Sequence, residues 1–378
     1  MFGKETSGQR ADLPPLRRPE KMKTNEGAAL KMNRFSIKIT AGAVVAAVLV
    51  VVLVSSETFL GGGNAKGADV VQRTSVPSAV STAFSAVPAA ACAASSAPSS
   101  ALPASVTLTE KPDPSVVKDP AKLKNSICSP QAILIRVNDG TILLEKNPEQ
   151  RIYPASMTKI MTALLAAEEA PDLNEKVTIQ KSVIDGMNNR DASMAGFLPD
   201  EQVSERDLLY GVILPSGAEC CVGLADRLES TEPNFVRSMN MKAAELGLRG
   251  THFVNTTGLH DPNHYSTVKD IAVLLDCALK NKTFRRVFTT LSYTTSPTNK
   301  HAGGVFFRST MSRCLRSCKA GNATILGGKV GFTDQAGLCL ASLAEMNGKE
   351  YILVTAGVKN VYRGEIQDAL TVYGSLGK

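Results

Sequence analysis

Two residues near the middle of the chain have the types and the spacing needed for acyl transfer to a serine. Ser156 and Lys159 stand three positions apart at the start of a predicted helix, so both side chains lie on one helix face and the amine can reach the hydroxyl. A helix N-terminus also favours the negative charge that acylation places on an oxygen. The pair can act as nucleophile and base if burial or a second cation lowers the pKa of the lysine.

Two further segments offer groups that could complete such a site. Lys329 is a second cation and stands between glycines in the segment GGKVG, which would let an extended ligand approach the backbone. Ser216 follows a predicted helix and adds another hydroxyl. The Ser-x-x-Lys spacing also begins at residues 115, 266 and 375, but only the copy at 156 opens an apolar helix after a predicted hairpin.

The elements around these residues predict a single α/β (α+β) body. Apolar runs at 131–137 and 141–145 flank Asn138-Asp139-Gly140, which is typical of a β-hairpin. Apolar residues at three-to-four spacing predict a buried helix over 156–169. Further helices are predicted at 204–214, 217–228, 234–246 and 267–281, and strands at 337–345 and 350–358 precede a final helix from residue 365.

Four longer segments resemble the serine-type D-alanyl-D-alanine carboxypeptidases, the low-molecular-mass penicillin-binding proteins of peptidase family S11. They are YPASMTKIMTALLA from Tyr153, LLYGVILPSGAE from Leu208, FVNTTGLHDPNHYST from Phe253 and ILGGKVGFTDQAGLCLASLA from Ile325. The family signature is Ser-x-x-Lys, Ser-x-Asn and Lys-Thr-Gly in this chain order. The resemblance covers essentially all of residues 125–360.

This resemblance implies a fold, a reaction and a role for each matching residue. The fold would be the β-lactamase/transpeptidase-like domain, an antiparallel sheet with a helical cluster. The enzyme would remove the terminal D-Ala from peptidoglycan stem peptides ending in D-Ala-D-Ala, and β-lactams would acylate the same serine. Neither a cofactor nor a metal is implied. The catalytic residues would be Ser156 as nucleophile, Lys159 as base and Ser216 as proton relay, and the substrate-binding residues would be Lys329, Gly331, Phe332 and Thr333, with the N–H groups of Ser156 and Phe332 as the oxyanion hole.

Two positions depart from the family signature. Ala218 stands where the family has Asn, and Val330 stands where it has Thr. Each loses a hydrogen-bonding group, which costs about tenfold to a hundredfold in rate or affinity if that group contacts a charge. The alternative to the active enzyme is therefore a catalytically impaired, membrane-tethered peptidoglycan-binding or penicillin-binding protein.

A class A β-lactamase is the nearest other enzyme, because it shares the Ser-x-x-Lys pattern. It also needs a Glu-x-x-Leu-Asn type segment well downstream of that pattern. The nearest match, EAPDLN at 169–174, has an extra residue and follows Lys159 too closely. The sequence disfavours this reading.

The N-terminal third has the organisation of an exported, tethered protein. The chain has 378 residues and a net charge of +7, of which +5 falls in a basic tail at 1–38. An apolar run at 39–56 predicts a transmembrane signal anchor, and an Ala/Ser/Pro-rich linker at 57–118 precedes the catalytic domain at 119–378. The catalytic domain would thus lie outside the cytoplasm, attached to membrane lipid by one span, or secreted if the signal is cleaved. Charge concentrated at one end argues against nucleic acid as a partner.

Cysteine and histidine spacing gives weaker signals. The body from 119 onward holds seven cysteines, an odd count that does not demand a disulfide framework. Cys314 and Cys318, or His260 and His264, could each form half of a metal site. No second cluster stands at matching spacing in the sequence, so no metal site is predicted.

Overall fold

A seven-stranded sheet forms the centre of the structure. The computed structural model describes residues 107–111, 113–137, 139–170, 172–315 and 317–378. Within them the sheet comprises, in chain order, β1 (Thr109–Glu110), β2 (Gln131–Arg136), β3 (Thr141–Lys146), β8 (Lys319–Ala320), β9 (Ala323–Thr333), β10 (Gly337–Met346) and β11 (Lys349–Val358). Their spatial order is β1-β3-β2-β11-β10-β9-β8, and all neighbours are antiparallel except β1 and β3. Two small two-stranded antiparallel sheets are separate from it, β4 (Lys176–Ile179) with β5 (Glu201–Ser204) and β6 (Ser292–Thr294) with β7 (Phe306–Arg308).

Helices cover both faces of the sheet. They are α1 (Pro120–Ser126), α2 (Lys159–Glu169), α3 (Lys181–Asn188), α4 (Glu205–Ile213), α5 (Ala218–Glu229), α6 (Glu232–Glu245), α7 (Val268–Ala278), α8 (Lys282–Phe288), α9 (Thr310–Cys314) and α10 (Gly364–Gly374). None of these helices, all between residues 107 and 378, combines the length and the apolar character that a membrane crossing requires.

Two hydrophobic cores follow from the alternation of side chains along the strands. Ile133 and Ile135 of β2 face a large core that includes α2, α4, α5 and α7, whereas Leu134 faces a smaller core with α1 and α10. Because helices cover both faces of the sheet, five of the six residues of β2 are buried. The sheet is therefore the middle layer of three.

The predicted fold class is confirmed, together with the hairpin and four of the predicted helices. The hairpin pairs β2 with β3, and α4, α5, α6 and α7 lie within three residues of their predicted bounds. Two details differ. Residues 155–158 form a 3₁₀ turn, so the α-helix begins at Lys159, and the segment around Lys329 is the interior of β9, a strand that the glycines had concealed.

Secondary structure begins before residue 119. Thr109 and Glu110, in the stretch predicted as linker, pair in parallel with Thr141 and Ile142 of β3. Leu108 packs against the large core, which explains why this stretch joins the sheet. The predicted basic tail at 1–38, the predicted anchor at 39–56 and residues 57–106 of the linker lie outside the described residues.

Candidate active site

Ser156 lies on the 3₁₀ turn that leads into α2. Side chains three residues apart eclipse one another in such a turn, and the Lys159 amine lies 3.1 Å from the Ser156 hydroxyl oxygen. The same amine donates to the Thr257 carbonyl oxygen at 2.6 Å. Ser156 is partly exposed whereas Lys159 is buried. A hydroxyl that a ligand can reach thus lies next to a buried amine that has two hydrogen-bond partners.

The environment of Lys159 favours its neutral form. Burial lowers the pKa of this amine below its ordinary value of 10.5, and the nearby Cys221 and Glu219 oppose that shift. An ammonium loses solvation when it is buried, so it releases its proton more readily. A neutral amine beside a serine hydroxyl can accept the hydroxyl proton as the oxygen attacks.

A second lysine and serine meet across 113 residues of sequence. Lys329, in the middle of β9, donates to the Ser216 hydroxyl oxygen and to the Val330 carbonyl oxygen, both at 2.9 Å. The pKa of Lys329 is well below 10.5, first because the amine is buried and second because the Lys159 amine is nearby, while Cys221 opposes the shift. Ser216 occupies the turn between α4 and α5 with φ of 70°, an uncommon conformation of the kind found at functional sites.

Residues 331–333 carry β9 past Ser156. A Cβ added to Gly331 would lie 3.0 Å from the backbone nitrogen of Ser156, so glycine lets the strand approach closely without crowding that residue. Phe332 is 61% exposed, although it is a large apolar side chain. The Thr333 hydroxyl accepts a hydrogen bond from the Ala336 N–H at 3.1 Å and so stabilises the turn into β10.

Comparison with known proteins places this arrangement in a family. The family model described as D-alanyl-D-alanine carboxypeptidase, peptidase family S11, matches residues 117–360, more than half of the chain. The chain belongs to this D-alanyl-D-alanine carboxypeptidase family.

Two curated family members illustrate the degree of similarity. A D-alanyl-D-alanine carboxypeptidase of Bacillus subtilis is 34% identical over 231 residues, which are 60% of this chain and 56% of that protein. One from Streptomyces sp. strain K15 is 35% identical over 222 residues, which are 56% of this chain and 75% of that protein. The match thus spans little more than half of the Bacillus relative.

Solved structures show the same fold. The crystal structure of the Streptomyces K15 DD-transpeptidase has 30% sequence identity and a TM-score of 0.60, covering 66% of this chain and 97% of that one. Penicillin-binding protein 5 of Haemophilus influenzae has 31% identity and a TM-score of 0.58, covering 65% of this chain and 70% of that one. The central sheet with its helical cluster is therefore the transpeptidase-like fold.

The first departure from the family signature, Ala218, lies in an apolar setting. It is buried and packs in a small cluster with Met187 and Val222, against which Met194 and Leu259 also pack. The backbone N–H of Ala218 donates to the Ser193 carbonyl oxygen at 2.8 Å. The methyl group thus extends an apolar wall where the family signature has an amide.

The second departure, Val330, lies beside the cation of the same motif. The side chain is half-buried and packs against the smaller core, while its carbonyl oxygen accepts from Lys329. Gly328 two positions earlier faces Met311 of α9, as expected for alternate residues on one strand face. The valine keeps the packing of a threonine but supplies no hydroxyl.

Three side chains near these departures carry polar atoms: Cys220 and Thr333 are engaged elsewhere, whereas Glu219 uses its Oε1 and leaves its Oε2 without a hydrogen-bond partner among the described residues. Glu219 accepts hydrogen bonds from the N–H groups of Ala195 and Gly196, at 2.7 and 2.9 Å. Cys220 is fully buried against Gly211. The third, the Thr333 hydroxyl, is bound in the turn described above.

Sequence reasoning missed the loop at 254–264, which contacts the 3₁₀ turn at 155–158. We call this turn the nucleophile turn, after the predicted role of Ser156. A Cβ added to Gly258 would lie 1.9 Å from the Ala155 carbonyl oxygen, and the Thr257 carbonyl reaches Lys159. Its signal was the segment FVNTTGLHDPNHYST, which matched the family but gave no periodicity. His264 of this loop, which the sequence analysis considered for a metal site, is buried and contacts the Thr158 hydroxyl instead.

Proposed function

We propose that the protein is a serine-type D-alanyl-D-alanine carboxypeptidase that acts through an acyl-enzyme on Ser156. The observation that carries the proposal is the 3.1 Å contact between the Ser156 hydroxyl and a buried Lys159 whose pKa is lowered. Family membership supports the same reaction. Because the contacts of both lysines with their serines form despite Ala218 and Val330, the geometry favours an active enzyme over an impaired one.

Acylation requires the neutral form of Lys159, which burial favours by lowering the pKa of the amine. The amine takes the hydroxyl proton while Ser156 Oγ bonds to the carbonyl carbon of the penultimate D-Ala. The N–H groups of Ser156 and Phe332 then hold the developing oxyanion, a role supported by the close approach of Gly331 to the nucleophile turn. The protonated Lys159 now holds the proton that the leaving group requires.

The tetrahedral intermediate collapses when its C–N bond breaks. The Ser216 hydroxyl gives its proton to the leaving amine of the terminal D-Ala and is reprotonated from Lys159. D-Ala then departs, and Lys159 is neutral again. Water then attacks the ester carbonyl, Lys159 accepts the proton of the water, and Ser156 leaves with a proton as the hydroxyl. Each turn of this cycle consumes one water and releases one D-Ala.

Lys329 is the group proposed to bind the free carboxylate of the substrate. Its amine is buried without a described acidic side chain in hydrogen-bonding contact, so a ligand carboxylate would supply the missing counter-charge. Gly331 and Phe332 would border the peptide, and Thr333, the last residue of β9, would fix the end of that strand. A β-lactam presents a carboxylate and a reactive carbonyl in similar positions, and we expect it to acylate Ser156.

We further propose that the enzyme works on peptidoglycan outside the cytoplasm. The basic tail at 1–38 and the apolar run at 39–56 support a single-pass anchor in membrane lipid, with the catalytic domain on the outer side. The Ala/Ser/Pro-rich segment would let that domain reach stem peptides at a distance from the membrane.

The reaction can be tested with a defined peptide. The full chain should release D-Ala from a pentapeptide ending in D-Ala-D-Ala, and Ser156→Ala should release none. A Ser216→Ala variant separates the role of Ser216 as proton relay from the role of Ser156 as nucleophile. It should retain the nucleophile and slow the departure of D-Ala. Release that survives Ser156→Ala would exclude this mechanism, and a wild-type chain that releases no D-Ala would favour the impaired alternative.

A further inference from the structure

His264 is a buried histidine that connects two parts of the site. Its Nε2 lies 2.7 Å from the hydroxyl oxygen of Thr158, which stands between the nucleophile and Lys159 in sequence. Its Nδ1 accepts a hydrogen bond from the Val254 N–H at 3.2 Å. The ring is 2% exposed and packs edge-on against Phe253, with ring centroids 5.6 Å apart.

These contacts define the tautomer and the charge of the ring. Because Nδ1 accepts from a backbone N–H, the proton of a neutral imidazole must be on Nε2, which then donates to Thr158. Burial is the main cause that lowers the pKa of His264 to about 4; Asp261 opposes the shift, and His252, Lys159 and His260 add to it. The ring is therefore neutral at the pH values where this family of reactions would be assayed.

A closed circuit of contacts runs from Thr158 back to Lys159. His264 joins the nucleophile turn to Val254 at the start of the loop. Asn255 then fixes the next residues, because its side-chain oxygen accepts from the N–H groups of Thr257, at 3.1 Å, and Gly258, at 2.7 Å. The Thr257 carbonyl completes the circuit by accepting from the Lys159 amine.

The two ends of this circuit lie on adjacent residues of one turn. Movement of the loop relative to Thr158 would therefore move the Thr257 carbonyl relative to Lys159. That carbonyl is one of only two hydrogen-bond partners of the amine among the described residues, the other being Ser156. The distance between loop and turn thus determines where the amine points.

We propose that His264 is a positioning residue of the reaction, which holds the Thr257 carbonyl where it directs the Lys159 amine at Ser156. The inference rests on the proposed function, since it assigns His264 a part in the acylation step. His264 touches no reacting atom and acts through Thr158 and the loop.

The test is the rate at which a fluorescent penicillin acylates the full chain, measured from pH 6 to 10 and expressed per labelled site. His264→Asn is too short to donate to the Thr158 hydroxyl, but its amide oxygen can still accept a hydrogen bond from the Val254 N–H. His264→Gln is the matched control, because its longer amide can still donate to Thr158. Thr158→Val removes the acceptor from the other side, and the double variant His264→Asn with Thr158→Val completes a cycle.

We expect His264→Asn and Thr158→Val each to slow acylation by about ten- to a hundredfold, and His264→Gln by less than about threefold. The double variant should be no slower than the slower single variant. In the slow variants the acid limb of the pH profile should move to lower pH, because an ammonium at Lys159 loses a carbonyl acceptor.

Three results would overturn the inference. The first is a wild-type rate and pH profile in His264→Asn. The second is additive losses in the cycle. The third is a reduced fraction of labelled protein with an unchanged rate per site, which would mean that His264 serves folding alone. A wild-type chain that takes no label on Ser156 would overturn the proposed function itself, and the inference with it.

Discussion

The amine of Lys159 lowers the pKa of Lys329, second only to the effect of burial. Two lysines thus face one small site, and each contacts a different serine. Two ammonium groups in this space would repel each other while both lack solvation. The arrangement therefore suits a base that is neutral before acylation and a second amine that becomes charged when a ligand carboxylate arrives.

Replacing Lys329 by methionine should weaken substrate binding and stabilise the fold. Lys329→Met keeps an unbranched side chain at this buried position but cannot bind a carboxylate, so KM for the pentapeptide should rise about tenfold to a hundredfold. A lysine whose pKa is lowered by folding binds fewer protons in the native state than in the unfolded state. It therefore reduces the free energy of unfolding at neutral pH, and this reduction fades as pH rises toward 10.5. The stability gain of the variant, measured by urea unfolding, should shrink over that range. An unchanged KM would contradict the role of Lys329.

Removing the charge of Glu219 should change both stability and the pH profile. Burial raises the pKa of this carboxyl, and its Oε2 has no hydrogen-bond partner among the described residues. A carboxyl with a raised native pKa is disfavoured once it ionises, so Glu219→Gln should gain stability relative to wild type as pH rises from about 4 to 7. Glu219 also raises the pKa of Lys159, so the acid limb of the acylation profile should move to lower pH. Parallel stability curves and an unmoved limb would contradict both expectations.

A methyl group at Gly258 should disrupt the nucleophile turn. Gly258→Ala places a Cβ 1.9 Å from the Ala155 carbonyl oxygen in a residue with φ of 79°, so we expect a loss of more than about 4 kcal/mol of folding free energy. Gly247→Ala is the matched control, because Gly247 has φ of 71° but no atom within 4 Å of the added Cβ. It should lose only about 1 kcal/mol. Equal losses in thermal unfolding would show that backbone strain alone matters.

Restoring the family hydroxyl at position 330 should improve carboxylate binding. Val330→Thr preserves the shape of the side chain, and the half-buried position allows the hydroxyl to reach solvent, so the change in stability should stay below about 1 kcal/mol. The variant supplies the hydroxyl that the family signature has at this position, so KM for the pentapeptide should fall by up to about tenfold, with kcat little altered. A lowered stability with unchanged KM would mean that the valine serves only the packing of the smaller core.

The part of the site formed by neighbouring residues, Ser156 and Lys159, could be predicted from the sequence, because residue spacing along one helix determines which side chains meet. The Ser156–Lys159 contact follows from a three-residue separation at the start of the helix, and the buried helix α2 follows from the spacing of its apolar residues. The Lys329–Ser216 contact spans 113 residues, so its prediction depended on the family resemblance. No spacing rule brings these two residues together.

The loop around Thr257 could not be derived from residue types. Its contact with Lys159 uses a backbone carbonyl, which every residue possesses, and its shape depends on Asn255 and Gly258. His264 read as a possible metal ligand because sequence does not reveal burial. β9 was missed for a related reason, since its glycines serve close approach to the nucleophile turn and mask the pattern of a strand.

The central claim is that Ser156 becomes acylated with Lys159 as its base. The most direct measurement is the intact mass of the full chain after incubation with benzylpenicillin, followed by peptide mapping of the adduct. We predict one penicilloyl group per chain, located on Ser156, absent in Ser156→Ala and formed at least about a hundredfold more slowly in Lys159→Met. An unmodified chain, or an adduct on any other residue, would contradict the account.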